Sequence, residues 1–264
     1  MDFVVLWQGC VAKSPETNFV AICLDEVPVE STGFQDLLPT LRKMRLIFHV
    51  SLQMRRKLEN IGLHPEISDS PYQFDFSFLM QAMASVGLPH LLLNQSAIFL
   101  PAGSITSHPS VPERFFIRPN SGMKSFPGQV INKNEFSLFQ NTYRPDKAEM
   151  CAIAPTVSFH SETRCFVMPG ARNPLLGLSP YQHDDTPDPS AHPITVSEAF
   201  EAISAISSYQ FWPDGIVVDL CRSEGRIRVV EVNSISTSGV YQCLDIDKSI
   251  AKQLATRNLN LITG

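Results

Sequence analysis

Two apolar strands that each carry a carboxylate constrain this chain most. Residues 215–233 read GIVVDLCRSEGRIRVVEVN, and the Ser223-Glu224-Gly225 turn between two β-branched runs is a strong hairpin signal. Asp219 lies in the middle of the first strand. Glu231 and Asn233 are two apart on the second, so their side chains share one face. Carboxylates inside apolar strands are costly unless they are paired, protonated or bound to a cation. Two partners meet that demand. One is Mg²⁺, which takes oxygen ligands, needs few carboxylates and fills its other positions with phosphate and water. The other is a buried salt bridge to Arg226, Arg228 or Arg164. The residues alone leave both open.

A second segment, residues 115–131, reads FFIRPNSGMKSFPGQVI. An apolar strand ends in Arg118, a loop with Gly122, Lys124 and Gly128 follows, and another strand begins. Glycines let a backbone approach phosphate oxygens and offer N–H groups. Arg118 supplies a planar fixed charge and Lys124 a mobile one. The P-loop pattern G-x-x-x-x-G-K-[ST] is absent, and the order is strand, loop, strand rather than strand, loop, helix. An ordinary hairpin with surface cations fits the same residues.

Residues 151–168 read CAIAPTVSFHSETRCFVM. Cys151, Ala152, Ile153 and Ala154 form a short apolar edge before Pro155, which can offer backbone groups to an adenine ring. Glu162 and Arg164 are two apart and so share a face, either as a structural pair or as contacts to ribose and phosphate. After Asn233 comes the small, polar run SISTSGVY, which includes Ser236, Ser238 and Gly239. It suits either a surface loop or a segment closing over a reacting group. Tyr181, His183 and Asp184 lie in a proline-rich stretch, residues 177–193, that is long for a plain connector.

The remaining sequence sets the frame. The chain has 264 residues, 44% hydrophobic and 18% charged, the balance of a globular protein with a core. A net charge of −5 argues against nucleic acid as the main partner, because phosphate contacts along a strand need a basic excess. There is no basic n-region before an apolar stretch and no apolar run long enough to span a bilayer, so a cytoplasmic protein without a membrane partner is expected. The six cysteines form no C-x-x-C pair and read as buried, reduced thiols. Strands are expected at residues 3–7, 19–24, 91–93, 97–100, 115–118, 128–131, 150–159, 163–168, 215–221 and 226–232. Helices are expected within 35–62, over 75–86, from 197 to about 210 behind a Thr195/Glu198 capping box, and from about 247. Residues 101–112 read as a linker, and the pattern as a whole is α+β.

In order, these pieces resemble the ATP-grasp superfamily, and more narrowly a clade of bacterial and phage ATP-grasp proteins. The resemblance covers residues 115–247. It implies an ATP-grasp fold, two α+β subdomains clasping ATP, with residues 1–110 as an N-terminal α/β lobe and 111–264 as the nucleotide-binding and catalytic region. It places Arg118, where most members have lysine, with Lys124 and Gly122 on the triphosphate, and residues 151–154 as the adenine hinge. It places Glu162 and Arg164 at ribose or phosphate, and Asp219, Glu231 and Asn233 on Mg²⁺. It implies an ADP-forming ligase that activates a small-molecule or peptide carboxylate as an acyl-phosphate and joins it to an amine. Tyr181, Asp184, Ser236, Ser238 and Gly239 are its acceptor-site candidates by position. Two rivals are a nucleotidyl transferase with Lys124 as AMP acceptor and a non-catalytic ATP-binding module.

Overall fold

The structure, a computed structural model, describes residues 3–8, 20–67, 74–180, 193–207, 212–239 and 246–263. The first elements are β1 (Phe3–Trp7), β2 (Val20–Cys23), α1 (Thr32–Leu41), β3 (Arg45–His49), α2 (Leu52–Asn60) and α3 (Phe76–Ser85). Then come β4 (Ile98–Pro101), β5 (Arg114–Pro119), β6 (Gln129–Asn132), α4 (Phe136–Tyr143), β7 (Met150–Pro155) and β8 (His160–Val167). The last are β9 (Leu175–Pro180), α5 (Val196–Ser207), β10 (Ile216–Ser223), β11 (Arg226–Ser234) and α6 (Ile246–Thr263). Three sheets result, ordered β2-β1-β3, β4-β7-β5-β6 and β11-β10-β8-β9.

The chain divides into two compact units, each made of more than one stretch of sequence. One comprises Met1–Ser70, Ser161–Leu220 and Asn233–Gly264; the other comprises Pro71–His160 and Cys221–Val232. The β10–β11 hairpin is therefore shared, its base in the first unit and its tip in the second.

In the first unit the sheet β2-β1-β3 is parallel and apolar on both faces, as parallel sheets are. Val4 and Leu6 of β1 with Leu46 and Phe48 of β3 pack against Phe34, Leu38 and Leu41 of α1 and Leu58 of α2. Phe3, Val5 and Ile47 point the other way, onto Phe166 of β8, Val217 of β10, and Ile250 and Leu254 of α6. This double burial explains why β3 was hidden inside an expected helical stretch. Leu46, Ile47 and Phe48 are all buried, and a short continuous apolar run has no period to tell strand from helix.

In the second unit the sheet β4-β7-β5-β6 is antiparallel. Phe115, Ile117, Cys151 and Ile153 face α4, whose Phe136 and Phe139 fill that core. The expected linker 101–112 contributes Ala102, Ile105 and Val111 to the same core, so much of it is packed structure. The run expected as a strand at 91–93 opens as a 3₁₀ turn at Pro89–Leu91, with Leu92 bridging to Val229. Neither α4 nor β9 was foreseen. Four described cysteines, Cys23, Cys151, Cys165 and Cys221, are free thiols, and burial pushes Cys151 up to about 12. Among the described residues no helix is long and apolar enough to cross a membrane.

Candidate functional site

The second unit gathers Arg118, Lys124 and Glu231. Arg118 sits near the end of β5, and its guanidinium lies 4.8 Å from the centre of the Phe76 ring, a cation–π contact. Its Nη1 is 3.1 Å from Glu231 Oε2. Lys124 Nζ donates to the other oxygen, Oε1, at 2.7 Å. Two cations thus share one carboxylate, a local surplus of positive charge. Arg118 is buried, while the Lys124 side chain is 35% exposed and that of Glu231 17%.

The loop between β5 and β6 is anchored on both sides. The Gly122 N–H donates to Asp75 Oδ1 at 3.3 Å, and Asn120 takes Phe76 N–H on its carbonyl and Ser77 N–H on its side chain. On the far side Ser125 donates to Glu149, and Phe126 packs edge-on against Phe139 at 5.0 Å. The left-handed residue of this loop is Lys124 itself, with φ of +47°, not a glycine. Gly128 also lies close to Phe116: a Cβ there would meet the ring at 2.8 Å unless the ring shifted.

The segment expected to bind adenine, residues 151–154, divides by face. Arg118 pairs with Ala152 and Phe116 with Ala154, so these four side chains share one face of the sheet. Cys151 and Ile153 point into the core on the other. β7 is also not an edge strand: it runs between β4 and β5, which occupy its backbone groups along most of its length. Only its end at Ala154 and Pro155 extends past β4. Beside that end lies a cavity of about 310 Å³, lined by Ile98, Val111, Ile153 and Pro155 among others and by no charged residue.

The first unit gathers Arg164, Asp219 and Asn233. Arg164 Nε and Nη2 donate to Asp219 Oδ1 and Oδ2, both at 2.8 Å, a bidentate pair. Asn233 Nδ2 donates to the same Oδ2 at 3.3 Å, and Arg164 Nη1 reaches the Gly239 carbonyl at 3.2 Å. Asp219 is 1% exposed and Arg164 5%. Of the two partners the sequence allowed for Asp219, a salt bridge to Arg164 is the one formed here. Glu162 lies two residues before Arg164 on β8. Ser236 and Ser238 are buried, whereas Gly239 is partly exposed. Tyr181, His183 and Asp184 lie outside the described residues.

A family of ATP-grasp domains, the third of one clade within that superfamily, matches residues 90–254, more than half of the chain. This chain belongs to the ATP-grasp family. Solved structures give the same fold. D-alanine–D-alanine ligase from Helicobacter pylori superposes with a TM-score of 0.57 at 11% identity, covering 97% of this chain and 99% of that one. D-cycloserine synthetase DcsG gives 0.55 at 12% identity, covering 97% and 99%. The ATP complex of the D-alanine–D-alanine ligase from Bacillus anthracis gives 0.54 at 14% identity, covering 98% of each. At these identities the likeness is one of fold. No curated protein matches the sequence.

In this ATP-grasp protein several residues stand at the clusters that the sequence reading did not select. Asp75 and Phe76 were read as the start of an amphipathic core helix; they contact the Gly122 loop and the Arg118 guanidinium. Arg55 of α2 is 4% exposed and reaches the serines that follow Asn233. It is three residues from both Leu52 and Leu58, so a cation on the apolar stripe was the available signal. His49 and Asp247 form a buried pair at 3.1 Å, in which burial raises the Asp247 carboxyl and His49 opposes the rise. Nothing local in sequence joins residues so far apart.

Proposed function

We propose that this ATP-grasp protein is an ADP-forming ligase that joins a carboxylate to an amine at the expense of ATP, with Mg²⁺. The observation that carries the reading is the Arg118–Glu231–Lys124 cluster. Two of the presumed phosphate-binding cations meet one presumed metal ligand in the same unit, with positive charge to spare.

In this reading Arg118, held over the Phe76 ring, binds phosphate as a planar donor, and Lys124 follows it as a mobile charge. Adenine lies beside the end of β7 at Ala154 and Pro155, which extends past β4. Arg164 contributes from β8. A substrate carboxylate oxygen attacks the γ-phosphorus, the bond to the β-phosphate oxygen breaks, and ADP leaves with an acyl-phosphate formed. The amine then attacks the acyl carbon, inorganic phosphate departs, and the nitrogen loses its proton. The chain's share is positioning and charge neutralisation, so no covalent enzyme intermediate is required.

Asp219, Glu231 and Asn233 offer carboxylate and amide oxygens, the hard donors Mg²⁺ prefers. Among the described residues no three His, Cys, Asp or Glu side chains form a metal cage, and an ion completed by phosphate and water needs none. Bound there, Mg²⁺ would neutralise phosphate charge. Asp219 can hold Arg164 and a cation at once, because each carboxylate oxygen has two lone pairs.

The test incubates the protein with ATP, Mg²⁺, a panel of carboxylates and hydroxylamine as the amine. ADP, phosphate and a hydroxamate are expected. AMP and pyrophosphate with adenylylated Lys124 would overturn the reading in favour of nucleotidyl transfer. The Lys124 ammonium, ion-paired to Glu231, is poorly suited to that nucleophilic role. A second reading, a module that binds ATP without turning it over, draws support from the closed Arg164–Asp219 pair. Nucleotide binding with no product across the panel would establish it.

A further inference from the structure

We propose that Arg55 is a positioning residue: it fixes the serine-rich loop 234–239 and, through it, sets Asn233 for metal-dependent nucleotide binding. The second half rests on the ligase reading above.

Arg55 lies on α2, in the N-terminal part of the chain, yet its guanidinium is spent on residues near the C-terminus. Nη1 donates to Ser236 Oγ and lies 3.5 Å from Ser234 Oγ, while Nε donates to Glu59 Oε1 at 2.7 Å. The two serine hydroxyls are 3.0 Å apart, and Ser238 Oγ donates to the Ser234 carbonyl at 2.7 Å. The backbone closes the tether, with Val50 N–H donating to the Ser236 carbonyl at 3.1 Å.

All three serines are buried, at 2%, 1% and 6% exposure. Their hydroxyls are engaged in holding the loop, which makes them supports more than substrate contacts. Ile235 is driven into the core between them, against Gly215, where a Cβ would come within 2.8 Å of it. The loop is thus fixed from the core by Ile235, from α2 by Arg55, and at its end by Arg164 on the Gly239 carbonyl.

Burying a guanidinium costs several kcal/mol, and an apolar side chain would pack the site at lower cost. What a guanidinium adds is a rigid fork that reaches a carboxylate on its own helix and a hydroxyl across the fold at once. Asn233 precedes Ser234 directly at the end of β11, so a shift of Ser234 is passed to the Asn233 amide beside Asp219. Supporting residues of this kind typically change metal affinity 10–100-fold when lost.

Calorimetry of AMP-PNP binding across a range of Mg²⁺ concentrations tests the proposal on the full chain. Arg55→Met is expected to raise the Mg²⁺ needed for half-maximal binding about tenfold, with Mg²⁺-independent binding unchanged. Amides of residues 234–239 should exchange with solvent about tenfold faster or more, since each lost 1.4 kcal/mol of local protection is a factor of ten. Ser236→Ala should shift both readouts less in the Arg55→Met background than in the wild type, because the two share the Arg55–Ser236 contact while Ser236 also bonds Ser234. An unaltered Mg²⁺ dependence in folded Arg55→Met overturns the proposal. If that variant does not fold, Ser236→Ala, which keeps the Arg55–Glu59 pair, must show a smaller shift in the same direction, and no shift overturns it. Wild-type protein that binds no AMP-PNP at any Mg²⁺ concentration sinks the ligase reading and the Asn233 half of this one. Unaltered exchange at residues 234–239 sinks the Arg55 half alone.

Discussion

Asp219 and Glu231 carry the same functional group on neighbouring strands, and the structure treats them differently. Asp219, in the first unit, is 1% exposed, and both its oxygens are satisfied by one guanidinium at 2.8 Å. Its charge is balanced and its geometry closed. Glu231, in the second unit, is reached by two cations, Arg118 at 3.1 Å and Lys124 at 2.7 Å, and one of those is partly in solvent. That cluster carries more positive charge than it neutralises, and such a site attracts anions. Carboxylates that look alike in sequence thus differ in their surroundings: Asp219 is buried with one guanidinium across both oxygens, and Glu231 is partly exposed between two cations.

The largest effect should follow from removing Asp219. Asp219→Ala leaves Arg164 buried and unpaired, and unfolding in urea should show a loss of about 3–5 kcal/mol. Replacing Arg164 by Met in the same chain should recover most of it. A loss below about 1 kcal/mol, the value of an exposed pair, would erase the contrast with Glu231.

Glu231→Gln should reverse the pattern. Its stability cost should be well below that of Asp219→Ala, because Lys124 is open to water and the amide oxygen can still accept from the buried Arg118. Its ATP-dependent turnover should fall on the order of 100-fold, equivalent to about 2.7 kcal/mol of transition-state stabilisation. A variant that unfolds as readily as Asp219→Ala, or keeps full turnover, would show that Glu231 is structural too.

How far the sequence could be read follows from the range of each signal. The hairpin at 215–233 was legible because its turn and its alternation lie within a few residues. The Thr195/Glu198 capping box was legible for the same reason, and both of its reciprocal bonds form. The ATP-grasp fold was legible as an order of motifs. β3 was hidden because it is buried on both faces. β7 looked like an edge because nothing in its own residues tells that β4 and β5 flank it. The partner of Asp219, named among three arginines, was a matter of which strands are neighbours. Arg55 was missed because its partners stand about 180 positions away, beyond any spacing rule.

Lys124→Ala sharpens the comparison on the open side. The Michaelis constant for ATP should rise about tenfold, close to 1.4 kcal/mol, with the maximal rate less affected. The ATP dependence of the wild type should weaken as salt rises, since a side chain 35% exposed is screened, whereas the buried Arg164–Asp219 pair should be nearly indifferent to salt. An ATP dependence equal to wild type would leave Arg118 as the only cation of that cluster in use.

The smallest effect separates the lysine's charge from its backbone. Lys124 holds φ at +47°, a left-handed conformation that costs a side-chain-bearing residue roughly 1–2 kcal/mol and glycine almost nothing. Lys124→Gly and Lys124→Ala both lose the amine, so both should show the same weakened ATP dependence. They should differ in stability: glycine removes the steric cost, alanine keeps it, and the greater freedom of unfolded glycine takes back about 0.4–1 kcal/mol. Thermal unfolding should therefore place Lys124→Gly above Lys124→Ala by at most about 1.6 kcal/mol. Equal stabilities would mean that the loop relaxes freely once the amine is gone. A measurable gap would mean that Asp75 on one side and Phe126 on the other force the turn, so that the strain is imposed by the scaffold and serves to aim the ammonium at Glu231.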